Sequence, residues 1–485
     1  MSIEIQSLQP GRLWYYFSEI LKIPRPSKKE KKIVEYILNF GKQLGLETLK
    51  DEVGNVLIRK PATKGKEKVK SVILQSHLDM VCEKNSETIF DFEKDPIETY
   101  IEKGWIKAKN TTLGADDGIG VATQLAILEA NDIPHGPIEC FFTIDEESGM
   151  TGAFGLKKDF LKSNILINLD SEDEGELFIG CAGGRDTTAK LAYKNESVPE
   201  NSIAFKIFIN GLKGGHSGDE INKGLGNANK ILNRLLWNAN NKFDLRINVF
   251  WGGNLRNAIA REAYANITIP KKNKKEFINL IKDLSKQIKK EFKITDSGLN
   301  IDINEIELPD FVIDKISHKK LLNATYACPH GVIAMSAAIP NFVETSTNLA
   351  SVKSIDGVIS FITNQRSSVE SAKDNACAMV ASVFKLTGAE VIQTGGYPGW
   401  TPNPNSEIVK ITKASYKRLF FNEAKVLAIH AGLECGLFKP VYPEMDMISF
   451  GPTIKGAHSP DERLDINTVT KFWDLTLDVL DNIPE

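Results

Sequence analysis

The first clear rhythm along the chain is helical. Ile33, Val34, Ile37 and Leu38 recur at the spacing of one helix face, behind Ser27 and Glu30, which stand at capping-box spacing. The pattern then shortens to apolar runs that end in polar residues: SVILQ (71–75) runs into SHLD, IECFFTI (138–144) into DEES, and ILINL (165–169) into DSED. Between the first two, IGVATQLAILEA (119–130) has helical periodicity. Strands alternating with helices predict a largely parallel sheet. Ligands bind beyond the carboxyl ends of the strands in such sheets. The middle of the chain changes character. Segments 204–211, 244–253, 263–270, 346–355 and 358–365 read as strands, with helices over 225–239, 274–292 and 369–386. This mixture predicts a separate α+β unit. The Gly- and Pro-rich segment 395–406 reads as a linker, after which a helix near 407–420, a strand at 426–430 and a helix near 468–481 rejoin the first unit. The expected architecture is an α/β domain formed by 1–185 and 396–485, interrupted by a smaller α+β domain over 186–395.

A length of 485 residues calls for two hydrophobic cores rather than one. Apolar residues at 42% and charged residues at 25% exclude a disordered chain. A net charge of −3 with mixed signs gives no surface for nucleic acid or membrane. No apolar stretch is long enough to span a bilayer, and the first 17 residues lack the basic and apolar regions of a leader. The six cysteines are scattered with no CxxC pair, which argues against a disulfide framework or a Cys-rich zinc site. Reduced thiols in a cytoplasmic protein are the expectation.

The candidate chemistry lies at the ends of the first strands. His77 and Asp79 stand in SHLDM, Asp116 in LGADDG, Glu146 and Glu147 in IDEESG, Asp170 in NLDSE and His458 in GAHSPDE. Singly each has an ordinary reading: a surface pair, a turn or helix start, a solvated strand end, a loop charge. On successive strand ends they converge on one chemistry. Imidazoles with carboxylates suit zinc and neighbouring divalent metals. Two histidines and three carboxylates exceed one tetrahedral zinc with an open position, and fit two metals sharing a bridging carboxylate. In His77-x-Asp79 the carboxylate suits the task of orienting a ligand imidazole. Of Glu146 and Glu147, one can bind metal while the other faces the water as general base.

The ordered set SHLDMVCEKN, LGADDGIG, DEESGMTGA, NLDSE, GGHSG, HAGLECG and GPTIKGAHSPDE, spanning 77–463, resembles the aminoacyl-histidine dipeptidase branch of the M20 metallopeptidases. The resemblance implies a zinc-aminopeptidase-like catalytic domain with a mixed, largely parallel sheet, interrupted by a lid and dimerisation domain. It also implies a homodimer and two divalent ions per subunit, zinc first, with cobalt or manganese as alternatives. By motif, His77 and Asp170 would hold one ion, Glu147 and His458 the other, and Asp116 would bridge them. Glu146 would be the general acid/base and Asp79 would orient His77. The broader family often has Lys after the two aspartates, where this branch has a glycine, here Gly118. His216 in GGHSG would polarise the substrate carbonyl in the partner subunit's site. Asn257 and Arg366 resemble lid residues that hold a peptide's terminal carboxylate, a task that suits the guanidinium fork. Glu434 in HAGLECG would meet the substrate's amino group, and His430 would be structural. The implied activity is hydrolysis of dipeptides, Xaa-His dipeptides above all. Competing readings are another peptidase or an N-acyl amino acid deacylase on the same scaffold, and a non-catalytic binding protein of the same fold.

Overall fold

The computed structural model describes residues 3–485, with side chains from residue 5 onward. Met1 and Ser2, the start of the segment read above as lacking a leader, lie outside the described residues. The chain forms two compact units. The first runs to Gly180 and resumes over Trp400–Ala428 and Leu433–Glu485; the second comprises Cys181–Gly399 and Ile429–Gly432.

An eight-stranded mixed sheet organises the first unit. Its spatial order is Glu47–Lys50, Val56–Lys60, Ile138–Thr143, Val72–His77, Ile165–Asn168, Asp446–Ser449, Glu176–Cys181 and Lys425–Ile429. The four central strands, from Ile138–Thr143 to Asp446–Ser449, are mutually parallel. Every residue of Val72–His77 and of Ile138–Thr143 is buried. Layers cover both faces of a parallel sheet, so its strands are buried throughout, here with apolar residues leading into polar ones toward the carboxyl ends. The helix Ala115–Glu129 lies against Val72–His77 and against the helix Gly11–Ile20, and is buried from Ala115 to Leu128. Its apolar residues therefore run round the whole helix rather than along one stripe.

The capping box expected at Ser27 and Glu30 does not form. The helix Lys31–Gln43 begins after Glu30 without a side-chain cap. Ser27 Oγ donates instead to Asp79 Oδ2 at 2.7 Å, and Glu30 Oε1 accepts from the backbone N–H of Lys28 at 2.7 Å and of Asp145 at 3.1 Å. Ser27 thus serves a strand end, and Glu30 joins the turn before its helix to the Asp145 amide.

The second unit is built on a nine-stranded sheet whose pairings are antiparallel. Helices Ala228–Phe243, Lys274–Glu291, Lys315–Ala327 and Glu370–Leu386 pack with it around one core that includes Phe205, Phe250, Phe277, Phe361 and Phe384. Asn227 caps the first of these helices through the N–H groups of Asn229 and Lys230. Among the described residues no helix is long and apolar enough to cross a membrane.

The central strands carry the candidate residues, so their packing governs the site. Leu74 is fully buried in the middle of Val72–His77. Leu74→Ala is expected to cost about 2–5 kcal/mol through lost burial and the cavity left behind. Urea unfolding would show a lower midpoint with an unchanged slope; an unchanged midpoint would contradict the packing described.

Candidate metal centre

Five of the candidate residues follow directly from the parallel strands. His77 ends Val72–His77, with Asp79 two residues on; Glu146 and Glu147 follow Ile138–Thr143; Asp170 follows Ile165–Asn168. Asp116 starts the helix after the first of these strands, where it is joined to Asp117 by a cis peptide bond. His458 sits in the loop beyond Asp446–Ser449, in the left-handed region at φ 62°.

The side chains converge on two points. His77 Nε2 lies 3.0 Å from Asp116 Oδ1 and 3.4 Å from Asp170 Oδ1. His458 Nε2 lies 3.1 Å from Asp116 Oδ2 and 3.0 Å from Glu147 Oε2. Asp116 thus gives one carboxylate oxygen to each imidazole. His77, Asp116 and Asp170 have donor atoms within 4.8 Å of one another, and so do Asp116, Glu147 and His458. Glu146 forms a further such group with His77 and Glu147. The remaining ring nitrogen of His77, Nδ1, lies 3.4 Å from Asp79 Oδ1.

The electrostatics show what the cluster lacks. Burial, with the negative charge of Asp116, raises the Asp170 carboxyl well above the usual range. Burial likewise raises Glu147, and raises Glu146 together with the charges of Glu434, Glu147 and Asp116. Burial opposes ionisation of Asp116 too, yet hydrogen bonds from His458 and His77 hold its carboxyl far below the usual range. The same contacts, from Asp116 and Glu147, push His458 up to about 11. Glu147 Oε1 is buried with no hydrogen-bond partner. Carboxylates crowded in this way need positive charge, and protons can supply it only by neutralising the acids. The donor set, the orphaned oxygen and the shared Asp116 all suit two divalent cations.

A third group of carboxylates, Glu30, Asp79 and Asp145, also converges, but protein donors satisfy it. Asp79 accepts from the N–H of Glu146 at 3.0 Å, the N–H of Glu147 at 3.2 Å and Ser27 Oγ. Asp145 accepts from Ser148 Oγ and Thr151 Oγ1. Burial works against the Asp79 charge, but His77, Ser27 and the Glu146 N–H hold its pKa down to about 2. This group is a brace that ties the loop after one strand to the loop after the next.

The other candidates fall into two places. In the second unit, His216 pairs in register with Ala258, and the Ser217 N–H donates to Asn257 O at 2.8 Å. Ser217 Oγ and Arg366 Nε both donate to Asn364 Oδ1, at 3.1 and 2.9 Å, and Arg366 Nη1 donates to Tyr397 Oη at 3.0 Å. Asn257 O, Ser217, Asn364 and Arg366 are therefore linked by hydrogen bonds, with His216 next to Ser217 in sequence. In the same unit His430 Nε2 lies 2.7 Å from Ser346 Oγ. In the first unit Glu434, expected to meet substrate, has no exposed surface. It accepts from Gln75 Nε2 and Thr143 Oγ1, each at 2.7 Å, and burial lifts its pKa to about 7. The sequence reading missed Arg25, Ser27, Glu30 and Glu462 as parts of the site. Their only signals were an Arg between two prolines in IPRPS, a capping pattern that turned out to be used elsewhere, and the last acid of the GAHSPDE motif already in hand.

Comparison with known proteins gives the family. The profile of peptidase family M20/M25/M40 matches residues 73–482. The chain is 45% identical over 481 residues to the cytosol non-specific dipeptidase of Escherichia coli K12, covering 99% of each. It superposes on the crystal structure of the aminoacylhistidine dipeptidase from Vibrio alginolyticus with a TM-score of 0.95 at 43% identity, covering 99% of this chain and 98% of that one. It also shares its fold with the aminopeptidase PepT from Bacillus cereus, at a TM-score of 0.57 and 16% identity over 98% of this chain and 99% of that one.

The brace at Asp79 makes a measurable demand. Asp79→Ala removes the acceptor for two backbone N–H groups and the carboxylate 3.4 Å from His77 Nδ1, while the Asp79 carbonyl, 3.2 Å from the same nitrogen, remains. Cation affinity or turnover is expected to fall about 10–100-fold, as for other groups that orient a ligand. Cation titration and steady-state rates measured on the folded variant would show it; values matching the parent would rule out the orienting role.

Proposed function

This chain belongs to peptidase family M20/M25/M40, and from that premise we propose that it is a metal-dependent dipeptidase working through the residues gathered around Asp116. The observation that carries the reading is the pair of three-residue donor groups sharing that one carboxylate. In this reading His77 and Asp170 hold one cation, Glu147 and His458 the other, and Asp116 both. Two such ions would polarise a scissile carbonyl and lower the pKa of a water to the range where it attacks at neutral pH. Zinc suits the mixed imidazole and carboxylate donors, with cobalt and manganese as substitutes.

The protein's own part is proton handling and orientation. Glu146 stands beside the ligand groups, with its backbone N–H anchored on Asp79. Burial raises its carboxyl, which suits a group that must take a proton from water and return it to the leaving amine. Asp79 fixes the His77 ring. Glu434 holds Gln75 and Thr143 through Oε2, while its Oε1 is buried with no hydrogen-bond partner, which suits the substrate's amino group. In the second unit, Arg366 is held by Asn364 and Tyr397 through Nε and Nη1, which leaves Nη2 to meet a terminal carboxylate, with Asn257 close by on the same chain of bonds. His216 is assigned to the carbonyl oxygen, in the site of a second copy. The second unit is then a lid and dimerisation domain, and the protein a cytoplasmic homodimer. The cytosolic E. coli relative supports that location. That relative is a non-specific dipeptidase and the Vibrio protein an aminoacylhistidine dipeptidase. Xaa-His dipeptides therefore belong among the substrates, alongside others.

The deciding experiment is a dipeptide panel that includes carnosine and other Xaa-His pairs. It is run on metal-free protein and after addition of zinc, cobalt or manganese, with bound metal counted by elemental analysis. Two ions per chain and metal-restored cleavage of unblocked dipeptides are expected. A stoichiometry of one or zero, or a preference for N-acetyl amino acids, would overturn the reading.

Two variants dissect it further. Glu146→Ala is expected to keep both ions and the fold while losing about 10²–10⁴-fold in kcat; collapse of metal content instead would mean that Glu146 and Glu147 have exchanged roles. Arg366→Ala is expected to raise KM for a free dipeptide on the order of 30-fold, since losing one partner of a buried charge pair costs about 2 kcal/mol or more. The same loss should appear in the parent enzyme when the substrate is C-terminally amidated. Equal KM for free and amidated substrates would remove Arg366 from that task.

A further inference from the structure

Two buried charged side chains outside the ligand set hold the loop that presents Asp116. The Glu462 carboxylate, 2% exposed, accepts four successive backbone N–H groups: Leu113 at 2.7 Å and Gly114 at 2.9 Å on Oε2, Ala115 at 2.8 Å and Asp116 at 3.4 Å on Oε1. The Arg25 guanidinium, also 2% exposed, donates through Nη1 to Leu78 O at 3.0 Å and Asp79 O at 2.7 Å, and through Nη2 to Gly114 O. The same short loop is thus gripped by its amides and by a carbonyl.

We propose that Arg25 and Glu462 are positioning residues that fix the two cation sites relative to each other. Glu462 lies four residues after His458 in the same turn. Its bonds tie that turn, and with it one imidazole, to the backbone of the carboxylate between the two sites. Arg25 ties the same loop to the backbone just after His77, and so to the other imidazole. Asp116 must meet both imidazoles at about hydrogen-bond distance, and a carboxylate offers little slack for either ring to drift. A buried carboxylate on four amides, or a buried guanidinium on three carbonyls, is costly to assemble. Each is more elaborate than a surface loop needs. Two glycines make room for the arrangement. A Cβ at Gly114 or at Gly118 would lie 2.7 Å from Arg25 Nη2. Gly118 is therefore a space requirement of Arg25.

The proposal rests on the two-cation reading above, and its test separates the two. Metal-free protein is titrated with cobalt(II), following stepwise affinity and the visible absorption of the bound ion, for the parent and for Glu462→Gln, Arg25→Lys and Gly118→Ala. Gly118→Ala changes no charge and acts by pushing the guanidinium away. The parent should bind two equivalents; fewer would overturn the two-cation reading and this proposal with it. Given two, each variant that folds by circular dichroism is expected to bind at least one equivalent about 10–100-fold more weakly. Its absorption should change in position or intensity, and kcat should fall with KM within about twofold. Folded variants with parental affinities and an unchanged cobalt spectrum would overturn the proposal while leaving the two-cation reading intact. So would loss of activity that merely tracks the folded fraction, or failure of all three to fold.

Discussion

Burying a carboxylate is costly unless hydrogen bonds or positive charge meet its oxygens. Asp116 meets that condition by turning one oxygen to His77 and the other to His458. The two histidines lie far apart in sequence, at the end of an early strand and in a late loop, so the carboxylate closes the chain on itself at this point. Asp170 and Glu147 then crowd the same imidazoles from neighbouring strand ends. The excess of negative charge is too large for two rings to offset, and the acids either take up protons or share cations. The choice between those two states is the chemical lever of the site.

Such a cluster is tolerable only if its loops cannot relax away from one another. The parallel sheet supplies the first restraint by bringing three carboxyl ends side by side. The second is the set of buried charges that bind backbone rather than ligand. Asp79 holds the amides of Glu146 and Glu147, Glu462 those of residues 113–116, and Arg25 the carbonyls of Leu78, Asp79 and Gly114. Backbone bonding of this kind fixes where a side chain starts, which is a stronger constraint than a contact at its tip.

The sheet was legible in the sequence because its central strands are buried on both faces and so appear as unbroken apolar runs ending in acids or His77. The candidate cluster was legible for the same reason, since strand ends are where such residues can meet. What stayed hidden were the residues whose work is done through backbone partners. Ser27 and Glu30 have the spacing of a helix cap, and only tertiary structure redirects them to Asp79 and to the Asp145 amide. Arg25 and Glu462 are separated by most of the chain, and nothing local marks a side chain whose partners are amides and carbonyls far away. The burial of Glu434 was hidden for a related reason. Its motif marks it as special, but the structure puts it under the sheet end rather than in the open.

The placement of Glu434 has a physical rationale in the layer it joins. Gln75, Asn168 and Ser449 stand at matching register positions on three adjacent parallel strands. Their side chains form a continuous relay. Gln75 Nε2 donates to Glu434 Oε2, Asn168 Nδ2 donates to Gln75 Oε1 at 2.6 Å, Ser449 Oγ donates to Asn168 Oδ1 at 2.5 Å, and Ser449 Oγ meets Ser171 Oγ at 2.7 Å. An apolar layer here would pack as well, but it would not dictate register, because a hydrophobic contact tolerates sliding and a hydrogen bond does not. His77 and Asp170 lie two residues beyond this relay on their respective strands. A slip of one residue along a strand would turn every side chain beyond it to the opposite face. The buried polar relay, anchored on Glu434, penalises that slip at the layer just before the ligands. The geometry at the strand ends is thus held by a layer of polar groups just beneath it.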